Sequence, residues 1–180
     1  MASEIGLSQI TLGALAERAE LSKSGLFAHF RSKEALTAAL LEAALALGEV
    51  EIIGPAMAEP EGLPRLRALV ARWLGWAPRC GLPGGCPFVA AMFELDDVES
   101  ATRERLLAIQ QEWREVLDGL VRQAIFLGQL RPDLDMDQFL WELNGIYLCH
   151  HVSQRFNREP DADRRAWTAL ESLIQRSEVQ

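Results

Sequence analysis

The chain has 180 residues, 49% of them hydrophobic, which suits one ordinary domain plus a small module with a packed core. No apolar run reaches the roughly 18 residues a membrane span needs, and the N-terminus lacks a signal peptide's basic, apolar, small-residue order. The three cysteines suit a reducing, cytoplasmic compartment better than a disulfide framework. The net charge of −8 argues against a nucleic-acid partner only until its distribution is read. Residues 1–36 are neutral, with four basic and four acidic side chains, so the whole deficit lies in residues 37–180.

Strand signals are almost absent and helix signals recur, so the chain reads as all-α. Thr11 caps a short helix through about Ala19, with Leu12, Leu15 and Ala16 at helical spacing. Ser22 caps a second helix from Lys23 to Phe30. Ser32 caps a third through KEALTAALLEAALALGEV, with Leu36, Leu40, Ala43 and Leu47 on one face. Glycines and prolines in IIGPAMAEPEGLP then break the pattern. A helix over 63–77 carries Leu66, Leu69, Val70, Trp73 and Trp76 inward. CGLPGGCP, residues 80–87, is a loop, followed by a short apolar helix in PFVAAMFEL that ends near Asp96 and Asp97. From Ser100 to about Leu127 runs a long amphipathic helix with Leu106, Ile109, Trp113, Val116, Leu120 and Ala124 as its stripe. Asp135 with Gln138 forms a capping box opening a helix through about Arg155. A last helix, from Pro160 to Arg176, carries Trp167, Leu170 and Leu173 on one side.

Two short helices joined by Glu20, Leu21 and Ser22 have the dimensions of a helix-turn-helix, whose second helix enters the major groove while the first braces it. That spacing alone also fits an ordinary helix pair. The individual residues sharpen the case: the capping Thr11, Ile10 or Leu12 with Leu15 and Ala16, then Ser22-Lys23, Leu26-Phe27, His29-Phe30 and Ser32-Lys33-Glu34-Ala35-Leu36, all in one register. With them TLGALAERAELSKSGLFAHFRSKEAL closely resembles the DNA-binding module of TetR-family transcriptional regulators. The remainder, with GGCPF in a loop, a long helix, LRPDLD and two final helices, is similar to one subgroup's ligand-binding and dimerisation half.

The resemblance implies a helix-turn-helix module over 1–48 and a helical ligand-binding and dimerisation domain over 49–180. It implies operator DNA as a partner, contacted through Thr11, Ser22, Lys23, Ser24, Gly25, Leu26, Phe27, His29 and Lys33. Lys23 and Ser24 approach base edges or phosphates. Gly25 allows close backbone approach, to DNA or to a neighbouring helix. Phe27 stands where the family often has tyrosine and takes packing or sugar contact, and His29 either reaches phosphate or braces Phe30. The helix starts at Thr11 and Lys33 suit phosphate, because free N–H groups and the helix dipole favour an anion there.

Two departures stand out. Glu20 replaces the usual turn glycine, where a left-handed conformation costs about 1–2 kcal/mol; a less bent turn is the other solution. The family's first helix ends in a stretch like the one at which this chain begins, MASEIG, so the module is expected to be N-terminally incomplete. Two readings follow: a ligand-released repressor binding a palindromic operator as a homodimer, or a dimeric small-molecule-binding protein whose shortened module no longer binds DNA.

The expected ligand is small and largely apolar. Candidate pocket residues are Trp73, Trp76, Phe88, Met92, Phe93 and Trp113, with Asn144, Tyr147, His150 and His151 supplying polar groups; plain packing is the alternative for each. Phe139, Leu143, Trp167, Leu170 and Leu173 form the expected dimer face, or else intramolecular core. Adjacent His150 and His151 point about 100° apart on a helix, unlike the one-face spacing of zinc helices. No metal, cofactor, membrane partner or enzymatic activity is expected, and Cys80 and Cys86 are either inert or a redox pair across the loop.

Overall fold

The computed structural model describes residues 1–179, apart from the side chain of Lys23. Among them there is no strand, only an isolated antiparallel bridge between Leu130 and Glu178. The helices are α1 (Ala2–Ile5), α2 (Leu12–Arg18), α3 (Lys23–His29), α4 (Lys33–Gly48), α5 (Gly54–Met57), α6 (Leu63–Trp73), α7 (Trp76–Arg79), α8 (Pro87–Glu94), α9 (Ala101–Phe126), α10 (Met136–Val152) and α11 (Ala162–Gln175). The all-α expectation therefore describes the chain.

The stretch expected to break after α4 instead continues as a π-helical turn, Glu49–Ile53, directly into α5. Pro55 stands in the first turn of α5, directly after the π-helical turn, where the regular bonding register has already changed. A second π-helical turn, Ser153–Asn157, extends α10. The helix expected over 63–77 stops at Trp73, because Gly75 takes a positive φ of 64° before α7 begins.

The contacts define two units, drawn differently from the division at residue 48. The first comprises Met1–Gly48 with Ala77–Ile109, and the second Glu49–Trp76 with Gln110–Gln180. In the first unit, Ile10, Leu12, Ala16, Leu26 and Leu36 form the core of the helix-turn-helix. A neighbouring cluster joins Leu7 and Leu41 to Ala91, Leu106 and Ile109. The face of α4 turned inward carries Leu36, Thr37, Leu41 and Ala44, with Leu40 half-buried against the same two clusters, while Ala43 is exposed and Leu47 half-buried. This helix is apolar nearly all round, so periodicity did not select its inner face.

Gly84 is where the 80–87 loop meets α1: a Cβ there would lie 1.4 Å from the Ser3 carbonyl oxygen. The Gly84 N–H donates to Ser3 Oγ at 3.3 Å, which explains a serine buried to 5% exposure. In the second unit, α6 starts without a side-chain cap of its own. Gln129 Oε1 takes that role, accepting from Leu63 N–H at 2.7 Å. Arg67 on α6 donates to both carboxylate oxygens of Glu171 on α11 at 3.0 Å each, a bidentate tie across the unit.

Candidate functional site

Each turn of the helix-turn-helix is set by local chemistry. Thr11 Oγ1 accepts from Ala14 N–H at 3.1 Å, Ser22 Oγ from Gly25 N–H at 3.1 Å, and Ser32 Oγ from Ala35 N–H at 3.1 Å. These are the N-caps read from the sequence, and each satisfies an orphan donor of its helix. Between α2 and α3 the chain turns through Glu20, whose φ of 55° is left-handed. Leu21 N–H donates to the Ala16 carbonyl at 2.9 Å and Glu20 N–H to the Glu17 carbonyl at 3.3 Å. That pair of bonds is a Schellman cap, so the bend is fully made and Glu20 bears its strain.

Of the nine residues expected to meet DNA, Leu26 is corrected: it is 6% exposed and packs with Ile10, Leu12 and Leu36, as the i+3 and i+4 spacing of its helix requires. Ser24, Gly25, Phe27 and His29 leave an exposed face on α3, Phe27 at 54% exposure. Lys23 opens that helix; its side chain lies outside the described residues. Among the described residues, a Cβ on Gly25 would meet only Ser22 Oγ, at 2.9 Å, so close helix packing does not explain this glycine. His29 stands edge-on to Phe30 with ring centroids 5.0 Å apart. Lys33 Nζ donates to the Ser8 carbonyl at 2.5 Å, leaving two ammonium hydrogens for another acceptor. At the start of α4, Glu34 is held below the usual carboxylate range, first by its own backbone N–H and then by the Ser32 hydroxyl.

The residues proposed for a ligand pocket separate into groups. Trp73, Trp113, Trp76 and Tyr147 come together in the second unit. Trp73 stacks on Tyr147 at 4.0 Å and meets Trp113 edge-on at 4.9 Å, while Trp76 Nε1–H donates to the Tyr147 hydroxyl at 3.1 Å. Trp113 Nε1 is buried and has no hydrogen-bond partner among the described residues. An orphan donor of that kind costs about 1–3 kcal/mol unless something meets it. Phe88 and Met92 pack against the Leu41–Leu106 cluster of the first unit. Phe93 is 64% exposed and lines no interior of the chain, a correction to its assignment. Asn144 Nδ2 turns back onto the Leu140 carbonyl at 2.9 Å. His150 is buried, 2.7 Å from Asp163 at the start of α11, and His151 is half-buried. Burial, then Arg155 and His150, hold the His151 imidazole below its ordinary pKa.

The expected dimer face is corrected as well. Phe139, Leu143, Leu170 and Leu173 are at most 2% exposed in a single chain, so they form its own core. Trp167 is half-buried. Between α10 and α11 lies a groove of about 460 Å³, lined by Trp141, which is 70% exposed, with Ile146, Cys149, Ala169 and the buried Ala166. The sequence reading missed Trp141 because α10 offers apolar residues on every side. It also missed Glu94, whose carboxylate accepts from Leu7 and Ser8 N–H at 3.1 and 2.7 Å from 87 and 86 residues away. Among the described residues no group of three histidine, cysteine or acidic side chains could hold a metal ion, and no helix is long and apolar enough to cross a membrane.

A capped helix-turn-helix with an exposed second helix, in one chain with a helical unit built around an aromatic cluster, defines a DNA-binding transcriptional regulator. The chain belongs to the TetR family: residues 1–40 match bacterial regulatory proteins of the tetR family, and residues 62–170 match the tetracyclin repressor-like C-terminal domain. Solved structures share the fold. A TetR-family regulator from Cytophaga hutchinsonii is 20% identical with a TM-score of 0.85, over 99% of this chain and 90% of that one. One from Chloroflexus aurantiacus is 25% identical with a TM-score of 0.87, over 98% and 89%. AibR, solved in complex with isovaleryl coenzyme A and operator DNA, is 20% identical with a TM-score of 0.72, over 96% and 91%. No curated protein matches the chain.

Proposed function

We propose that this regulator is a cytoplasmic, ligand-released repressor that binds a palindromic operator as a homodimer. The observation that carries the DNA-binding half is the exposed face of α3, Ser24, Gly25, Phe27 and His29, held between two serine-capped helix starts. Ser22, Lys23 and Ser24 read base edges or phosphates, while Thr11 and Lys33 anchor the flanking backbone. Two modules reading two half-sites require a second copy, and the apolar groove around Trp141 on α10 and α11 supports an isologous contact there.

The ligand is small and mainly apolar, and it carries at least one hydrogen-bond acceptor. The unmet donor of Trp113 beside Trp73 and Tyr147 supports this. AibR supplies the precedent of one protein of this fold bound to both an operator and a small molecule. Release follows when the ligand prefers a state whose modules no longer fit their half-sites.

The test is selection from a randomised duplex library by the purified chain, followed by sedimentation with the selected duplex. Recovery of an inverted repeat with two chains per duplex supports the reading. A chain that forms a dimer and retains no duplex refutes it in favour of a small-molecule-binding dimer.

A further inference from the structure

Glu94 stands at the C-terminal end of α8, far in sequence from the helix-turn-helix, yet it holds the approach to it. Its Oε1 accepts from Leu7 N–H at 3.1 Å and its Oε2 from Ser8 N–H at 2.7 Å. The same Ser8 residue offers its carbonyl oxygen to Lys33 Nζ at 2.5 Å. Ser8 is thus gripped from both sides, by a carboxylate on its N–H and an ammonium on its C=O. The residues that connect α1 to α2 cannot shift without breaking charge-assisted bonds at one end or the other. Glu94 lies within the C-terminal family match and Ser8 and Lys33 within the N-terminal one, so a single carboxylate stitches the two.

We infer that Glu94 is a positioning residue for DNA binding: through Ser8 it fixes the Lys33 ammonium at the N-terminus of α4, where that cation faces a backbone phosphate. This rests on the reading of Lys33 as a phosphate anchor. A lysine side chain left to itself samples many rotamers, and ordering it on binding costs affinity. Held by the Ser8 carbonyl, Lys33 keeps two donors directed outward and has less freedom to lose.

The experiment is a double-mutant cycle on the full chain, with Glu94→Gln, Lys33→Gln and the pair. It uses a fluorescent duplex selected by the unaltered protein and is read across a salt series. Glu94→Gln keeps the side chain's shape while removing its charge and one acceptor. Losing one phosphate contact per module, two per dimer, weakens binding about a hundredfold at about 0.1 M salt and lowers the salt slope by about two. The expected result is that each single variant loses affinity and slope, and that the pair loses no more than Lys33→Gln alone. If Glu94→Gln leaves affinity and slope unchanged, or if the two losses multiply in the pair, Glu94 merely supports the fold and the inference fails. Thermal melts run alongside; should Glu94→Gln unfold, Glu94→Asp, which keeps the charge on a shorter stem, takes its place in the same cycle with the same two criteria. Failure of the unaltered chain to hold any duplex would overturn the DNA-binding reading itself and this inference with it, an outcome distinct from a silent Glu94 variant.

Discussion

The Glu20 turn gives a sharp test of how the helix-turn-helix is held. Glu20 adopts a φ of 55° and closes a Schellman cap at the end of α2. A side chain in that region costs about 1–2 kcal/mol, which glycine avoids. Glycine also has the freer unfolded chain, which offsets about 0.5–1 kcal/mol of the gain. Glu20→Gly is therefore expected to stabilise the folded state by about 0.5–1 kcal/mol, or about 1–4 °C in Tm for a chain of this size. Urea unfolding measures the total. Hydrogen exchange at the Leu21 amide, which donates to the Ala16 carbonyl, localises it to the turn. Glu20→Ala is the control, because it removes the charge and keeps the Cβ. Equal stabilisation by alanine and glycine would assign the effect to charge and refute the backbone argument. A destabilised glycine variant would refute it outright.

Other outcomes follow from the same geometry. Ser22→Ala removes the cap on Gly25 N–H and is expected to cost about 1 kcal/mol, with faster exchange confined to the first turn of α3. Gly84→Ala puts a methyl group into the backbone of α1 and should cost about 1–3 kcal/mol in unfolding free energy, with exchange protection lost at Gly84 first. His151 has its pKa lowered in the folded state, so below the ordinary histidine value of about 6.5 the unfolded chain takes up a proton first. Stability held at neutral pH is lost as pH falls from there through the folded value, and His151→Gln should flatten that part of the urea-midpoint profile. Leu170→Ala, at a fully buried site, should cost about 2–5 kcal/mol of stability.

How much of this was legible in the chain depended on whether the physics was local. The caps at Thr11, Ser22 and Asp135 each require a side-chain oxygen within three residues of its donor, and all were read correctly. Asp135 Oδ1 accepts from Gln138 N–H at 3.0 Å. The strongly amphipathic α11 placed Leu170 and Leu173 on one side correctly, but which side another chain would see was beyond periodicity. In α4 and α10 apolar residues surround the helix, so the inner face was decided by partners distant in sequence, and Leu41 and Trp141 were missed. Glu94 carried no local sign at all, since an acidic residue ending a short helix is ordinary until Leu7 and Ser8 are found beside it. Trp113 was picked out as an aromatic, but its unmet donor exists only in the packed state.

The first 36 residues hold only four basic side chains, and one of them, Arg18, is paired with Glu4 at 3.0 Å. Each phosphate neutralised contributes about −0.9 to the slope of log affinity against log salt, so the three remaining cations of residues 1–36 can account for a slope of at most about −3 per copy.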